Sequence, residues 1–469
     1  MKSEKKPGLT VAGLAVISVI AAAGIVTETL PLAGAIAAFL ITAFMIMGYA
    51  AETTALLFLV QVGFTTVFLS SMRVYAGPLA VTPDTALMLW VFMLWFFALA
   101  DGEGGYRRTF SGAVIKLLMI LSVIAFIRGL AGGYEPETVI LFLKSMAGYL
   151  FFFPCMWLLR KQRNIKLLTA AFAAASLIAG LWVIAKGFVG GEGVYVRATT
   201  GLRVTSREIN VTMLGLFLVG IALWKKENKV PVLPGAAAVL IMGASLLLGQ
   251  SRALWVAVAT GFMISFIADF SRTGFRGGRL APMVSRILLV AVFAAGSIAF
   301  VSAAGLLSAA DVAARSGTAD GGFAGDVSLW ARFLSWWEIL RTLQSSPFTM
   351  LLGTGYGYEI MYFRPDLLSV VSIPYVDGSF FQILLNSGLL GMVLLALLYA
   401  RGIADSFRLV LSSVSKTVIL LALWLTASFT ALTVAALSSS LITNYRFSCL
   451  WAFLFALMET LKEKEPSKG

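Results

Sequence analysis

The chain has 469 residues, of which 59% are hydrophobic and only 13% charged, and its mean hydropathy is +0.91. Soluble domains are about one quarter charged, so this composition specifies an integral membrane protein. It contains no histidine and two cysteines, Cys155 and Cys449, each inside an apolar run, which excludes a Ser-His-Asp triad, histidine metal ligands and a disulfide framework. The opening residues MKSEKKPG, followed by LTVAGLAVISVIAAAG, have the build of a signal peptide with a cut after Ala23. Because about 18 apolar residues already span a bilayer, a retained first helix is the preferred reading.

Hydrophobic runs follow near 9–27, 30–49, 54–71, 85–100, 112–130, 138–159, 167–189, 209–224, 232–249, 253–270, 287–307, 379–400, 417–437 and 444–461. The expected fold is therefore an all-α polytopic membrane protein with about 12–14 transmembrane helices and one long helical outer loop. Alternate connections carry Arg107-Arg108, Arg160 to Lys166, Lys225 to Lys229, Arg272 to Arg286, Arg401-Arg408 and the lysine-rich tail. With Lys2, Lys5 and Lys6 on the same side, about 23 of the 36 Lys and Arg fall there and about 13 on the other. The positive-inside rule then puts both termini in the cytoplasm. The net charge of +13 is thus a topology signal and gives no sign of a nucleic-acid partner.

The two longest outer connections, 190–210 and 308–377, face the same side. In the second, a Gly-rich start precedes Ser328–Leu343, whose apolar and aromatic spacing predicts a helix. A proline, a Gly-x-Gly-x-Gly turn at Gly353, Gly355 and Gly357, and a second loop closing on Asp377 complete it. A long loop with its own helix in a membrane protein points to function. The glycines are no nucleotide loop, since they follow no strand and open no helix. Trp330, Trp336 and Trp337 read as an interfacial belt in preference to a sugar-stacking platform.

Arginine recurs in both outer loops, while lysine is absent from them: Arg197, Arg203 and Arg207 in the first, with Arg315, Arg332 and Arg341 among those in the second. Arg252 opens a helix on the same side, directly after a tight turn. Taken singly, each arginine also reads as a snorkelling anchor. As a set on the side where positive charge should be depleted, their planar, permanently charged forks suit a diphosphate. No carboxylate cluster suited to Mg²⁺ accompanies them, so a metal-free site is expected. Asp377 reads either as a helix cap or as a general base. Asp326, Glu338, Glu359 and Asp366 are further acids of the same loop.

The order of these motifs resembles the O-antigen ligase and polymerase superfamily of polysaccharide-assembling membrane proteins. Its carriers are Arg252-x-x-Trp255-x-Ala257 with Gly261, then Arg332 on its Trp-rich helix, Pro347 with the Gly-rich turn, and FFQILLNSGLLG. Arg197-x-x-x-Gly201 and Asn210 are similar to the preceding outer loop of the family. The match covers roughly 195–400, and the first 190 residues match only as a generic bundle. The organisation expected is an N-terminal bundle over 1–190, a catalytic core over 191–400 that includes loop 308–377, and C-terminal helices with a cytoplasmic tail over 401–469.

The resemblance implies a GT-C-like, metal-independent, inverting glycosyltransferase of the bacterial inner membrane, with its active site on the periplasmic face and no cofactor. Such enzymes move a glycan from undecaprenyl diphosphate to an acceptor hydroxyl. By the matching positions, Arg252 and Arg332 would engage the diphosphate, with Arg203 and Arg197 as further substrate-binding residues. Where ligases of the family usually carry His-Asn, this chain has Asp377-Gly378. Either Asp377 replaces the histidine as the base, or this member is not a ligase to lipid A core; a polymerase or another polysaccharide-transferring member is the preferred reading. The competing class is a polytopic transporter or flippase for a lipid-linked or anionic substrate, which would place charges at midspan and repeat its broken helices in two halves.

Overall fold

The computed structural model describes residues 50–63, 74–76, 79–81, 83–105, 108–190, 194–197, 201–204, 208–225, 231–273, 280–306, 327–364, 368–444 and 447–465. The two expected spans near 9–27 and 30–49 lie outside the described residues. Helices dominate the rest, as they must where a bilayer offers no water to the backbone. Among the described residues, six helices are long and apolar enough to cross a membrane, and four apolar helices are shorter. The expectation of an all-α polytopic membrane protein is borne out.

In chain order, α1 (Ala50–Gly63) and a hairpin of β1 (Val74–Ala76) and β2 (Leu79–Val81) precede α2 (Pro83–Ala100). Then come α3 (Phe110–Ala131) and α4 (Pro136–Ala147), which passes through a 3-10 turn at Gly148–Phe151 into α5 (Phe152–Leu158). After α6 (Gln162–Val189), a second hairpin of β3 (Val194–Arg197) and β4 (Gly201–Val204) leads to α7 (Ile209–Trp224). The helices α8 (Val232–Leu248), α9 (Arg252–Thr273) and α10 (Leu280–Ala303) follow. The outer segment supplies α11 (Val327–Leu343), α12 (Pro347–Leu352) and a hairpin of β5 (Ile360–Arg364) and β6 (Ser369–Ile373). The chain ends with α13 (Ser379–Ser412), α14 (Lys416–Ala436) and α15 (Ser448–Lys464).

The core centres on α14 and α15, both buried along almost their whole length. Helix α14 packs against α9, α13 and α7. Polar side chains tie these apolar surfaces together: the Trp424 indole donates to the Leu214 carbonyl at 2.9 Å, and Ser265 Oγ to the Leu423 carbonyl at 2.8 Å. Such bonds are favoured in a bilayer, where apolar side chains gain little by leaving lipid for one another.

The basic connections gather at one end of the bundle. There Arg272 reaches the Ser413 carbonyl, Ser413 bonds Glu465, and Lys462 pairs with Asp405 at 2.6 Å. Lys464 meets the Leu159 carbonyl, and Lys225 pairs with buried Asp269 at 2.5 Å. The segments carrying Arg332, Asp377 and Arg128 meet at the opposite end.

The Gly-rich stretch after α12, expected from the sequence as a turn, also packs between two spans. Helix α13 is broken at Gly388, whose φ of 68° and ψ of −167° suit glycine. The break leaves carbonyls of the first half-helix without intrahelical donors. The loop supplies them: Thr354 N–H donates to the Leu385 carbonyl at 2.8 Å, and Gly355 N–H to the Asn386 carbonyl at 3.1 Å. On its other side, Tyr356 N–H donates to the Ala125 carbonyl of α3 at 2.9 Å, and Arg128 donates to the Gly353 carbonyl. Residues 353–357 are thus wedged between two spans. Gly353 has a φ of 73°, and a Cβ there would overlap the Asn386 backbone. Gly353→Ala is expected to destabilise the fold by about 1–3 kcal/mol from backbone strain, with the overlap adding to it. Thermal unfolding in detergent measures this, and an unchanged midpoint would mean that the wedge is not held in place.

Candidate active site

Helix α11 presents two apolar sides. Ala331, Ser335, Ile339 and Leu343 are buried, and Ile339 and Leu343 form a small separate core with Ile360, Val376, Leu384 and Leu385. This core fixes α11 over the start of α13. Arg332 lies beside the buried face, and its Nε donates to Asp377 Oδ2 at 3.2 Å. One turn on, the Trp336 indole N–H donates to the Asp377 carbonyl at 2.8 Å. The Trp336 ring also stacks on Phe381, with centroids 4.4 Å apart and planes 7° from parallel. Arg332 and Trp336 therefore hold the side chain and the backbone of Asp377 from adjacent turns of one helix.

Two further residues fix Asp377 from below. Gln382 is buried; its Oε1 accepts from Val376 N–H at 2.7 Å and its Nε2 donates to the Pro374 carbonyl at 3.3 Å. Ser379 Oγ donates to the Ser439 carbonyl at 2.9 Å and accepts from Ile442 N–H at 3.1 Å, tying the helix start to the α14–α15 connection. Gly378 holds the cap position of α13, and Ser379 N–H donates to Ser439 O. The Asp377 carboxylate is accordingly turned to Arg332 and not to the helix start. With 60% of the Asp377 side chain and 30% of that of Arg332 exposed, a ligand can reach both groups.

Arg252 is the first residue of α9, after Gln250 in the left-handed region (φ 45°). The Trp255 indole secures this turn by donating to the Leu246 carbonyl at 3.1 Å. The antiparallel register of α9 on α14 is set where Gly261 meets the Ala427 carbonyl and Ser265 bonds the Leu423 carbonyl. Continued to the helix start, that register brings Arg252 level with Ala436, just before the connection that grips Ser379. Arg252 thus stands at the same end as Asp377 and Arg332. Arg203 and Arg197 are on the β3–β4 hairpin, where Tyr195 pairs with Arg203 and Arg197 with Gly201. Strand β4 packs on α6 and α8, and Ile209 beyond it touches Gly249, three residues before Arg252. Arg207, Arg315, Asp326 and Asp366 lie outside the described residues.

The remaining acids divide. Glu338 pairs with Arg341 at 3.7 Å, and Glu359 accepts from Ser372 Oγ at 2.5 Å. Among the described residues, no group of three or more Cys, Asp or Glu gathers as a metal site. At the rim, burial raises the Tyr134 phenol pKa, Tyr358 beside it adds to the rise, and Arg128 opposes it, so Tyr134 stays neutral around pH 7. The tryptophans also divide. Trp330 and Trp337 are exposed, as a belt requires, whereas Trp336 belongs to the Asp377 support.

Gln382 and Ser379 are supporting residues whose role the sequence did not show, and Trp336 was read only as part of an interfacial belt. The only sequence signal of Gln382 and Ser379 is that they are polar in an apolar helix start.

The fold is that of a polytopic membrane protein, with Arg332 and Asp377 in contact at one end of the bundle. A family model described as O-antigen ligase matches residues 237–396, from α8 into α13. Over this stretch the chain is similar to the O-antigen ligase family, in agreement with the resemblance carried by the order of its motifs. The match supports a membrane glycan-assembly enzyme, with a lipid-linked glycan and an acceptor as its class of substrates. A comparison with curated proteins finds none that matches.

Proposed function

We propose that the protein is a metal-independent, inverting glycosyltransferase of the bacterial inner membrane. It moves a glycan from undecaprenyl diphosphate to an acceptor hydroxyl on the periplasmic face. The carrying observation is the contact of Arg332 with Asp377, which puts a phosphate-binding fork and a carboxylate side by side at the mouth. The acceptor oxygen attacks the anomeric carbon from the face opposite the diphosphate. Asp377 takes the hydroxyl proton, and the electrons of the breaking C–O bond pass to the diphosphate oxygen. Arg332 and Arg252 stabilise that developing charge, the larger part of catalysis for so good a leaving group. Arg203 and Arg197 are further residues of this proposal that would bind the donor.

Lys186 is in the last turn of α6 and Lys116 in the second turn of α3, toward the ends of their spans. Lys144 stands near the middle of the span Pro136–Leu158, a placement a transport pathway would also use, so the preference for transfer over transport rests on the contact of Arg332 with Asp377. The testing experiment reconstitutes the protein in vesicles with a lipid-linked glycan and an acceptor. The expected result is loss of the donor with formation of a longer or transferred glycan of inverted linkage, undiminished by chelators. Movement of the intact donor across the bilayer without a new glycosidic bond would overturn the proposal.

The proposal also fixes a topology. Cysteines introduced at Gly321 and Lys468, both outside the described residues, should react with an impermeant maleimide from the periplasm and the cytoplasm respectively. Labelling of both from one side would sink the assignment.

A further inference from the structure

Helix α11 carries a second apolar stripe that is exposed among the described residues. Trp330, Phe333, Trp337 and Leu340 are all exposed, Trp337 by 68%. Their spacing of three, seven and ten residues places them within about 80° of arc on an ideal helix. Arg332 falls on the other side of the helix, against Asp377. Arg341, largely exposed, borders the stripe. An aromatic stripe with a long basic side chain at its edge has the build of a helix lying in a membrane interface.

The surroundings identify what covers it. Helix α12, which follows α11 directly, exposes Phe348 and Leu351. The Arg128 guanidinium lies over the Phe348 ring at 4.9 Å, and Arg128 is in the last turn of the span α3. That span exposes Ile127 and Leu130 beside it. The Leu351 backbone abuts Gly388 of α13, beyond which Leu390 and Val393 are exposed. The uncovered apolar surface of α12 is thus continuous with the outward faces of two spans.

We infer that α11 and α12 lie in the outer leaflet of the membrane, with the Trp330–Leu340 stripe against lipid acyl chains and Arg341 at the phosphates. The occupant of the stripe is lipid, because the surface continues into the exposed apolar faces of two spans. This seating puts Arg332 at headgroup depth on the side facing the bundle. A lipid-linked diphosphate then reaches it by lateral diffusion in the leaflet, without leaving the membrane. The seating stands on the surface alone. Its consequence for Arg332 rests on the transferase reading.

The test uses full-length protein in phosphatidylethanolamine–phosphatidylglycerol vesicles, with a nitroxide on Trp337→Cys and, separately, on Leu340→Cys. The native cysteines are buried and serve as the unlabelled control. Collision with oxygen reports lipid, and collision with a water-soluble nickel chelate reports water; a label on Ile127→Cys and one on Lys468→Cys give the two references. Both α11 labels are expected to follow Ile127→Cys. Behaviour like Lys468→Cys would overturn the inference by showing the stripe in water. Shielding from both reagents with spin–spin broadening would overturn it by showing a second copy on the stripe. Lipid exposure of the labels in a protein that transfers no glycan would sink the transferase reading and leave the seating intact.

Discussion

Arg332→Ala should lower glycan transfer by on the order of 10²-fold or more, with the protein still folded. A lost donor to developing charge in a preorganised site is worth about 3 kcal/mol in the transition state. The folded state loses little, because the Arg332–Asp377 pair is partly open to solvent and exposed pairs contribute about 0–1 kcal/mol. Arg252→Ala should behave alike, since Arg252 reaches the same mouth from α9. Arg332→Lys should also be poor: it keeps the charge but not the fork that grips two oxygens. Arg408, largely exposed at the opposite end of the bundle, is the control, and Arg408→Ala should transfer normally. Rates measured in vesicles at saturating acceptor, beside the thermal midpoint of each variant, separate a chemical defect from a folding one. Near-normal transfer by both Arg332→Ala and Arg252→Ala would reduce these residues to membrane anchors.

The parts of this site that were legible in the sequence are its charges. In a chain only 13% charged, an arginine or aspartate on the side depleted of lysine stands out by electrostatics alone, and Arg332 and Asp377 prove to touch. Helix α11 was legible too, because its apolar residues recur at helical spacing, and it begins within one residue of the expected start. The supports were not. Gln382 is one polar residue in an apolar helix start until the fold brings Pro374 and Val376 onto its amide.

The break at Gly388 was hidden for a related reason. Asn386-Ser387-Gly388-Leu389 sits in an apolar run that reads as unbroken helix, and glycine is common in membrane helices. What opens the helix is the loop at Thr354 and Gly355, more than 30 positions earlier, offering its own N–H groups to the freed carbonyls. The hairpins β3–β4 and β5–β6 escaped because each is short and bounded by polar turns, too brief for its alternation to register. Local sequence thus specifies which segments span and where the charges lie, whereas the tertiary pairing that aims Asp377 involves residues far apart in the chain.

Asp377→Asn should abolish transfer while the donor still binds. Asparagine keeps the shape of the side chain and an oxygen that can accept from Arg332 Nε, now 3.2 Å from Oδ2. The indole bond from Trp336 goes to the backbone carbonyl and is untouched by the change. What is lost is the capacity to take a proton, and a positioned general base contributes about 10²–10⁴-fold. Transfer should fall by about that factor, with the affinity for a lipid-linked diphosphate little changed. Asp377→His should recover part of the rate, because an imidazole at this position can also accept the proton, as the resemblance to ligases with a histidine here implies. A fully active Asp377→Asn protein would leave Asp377 as no more than the resting partner of Arg332. The base would then have to be sought at Glu359, which is engaged by Ser372, or at Asp366.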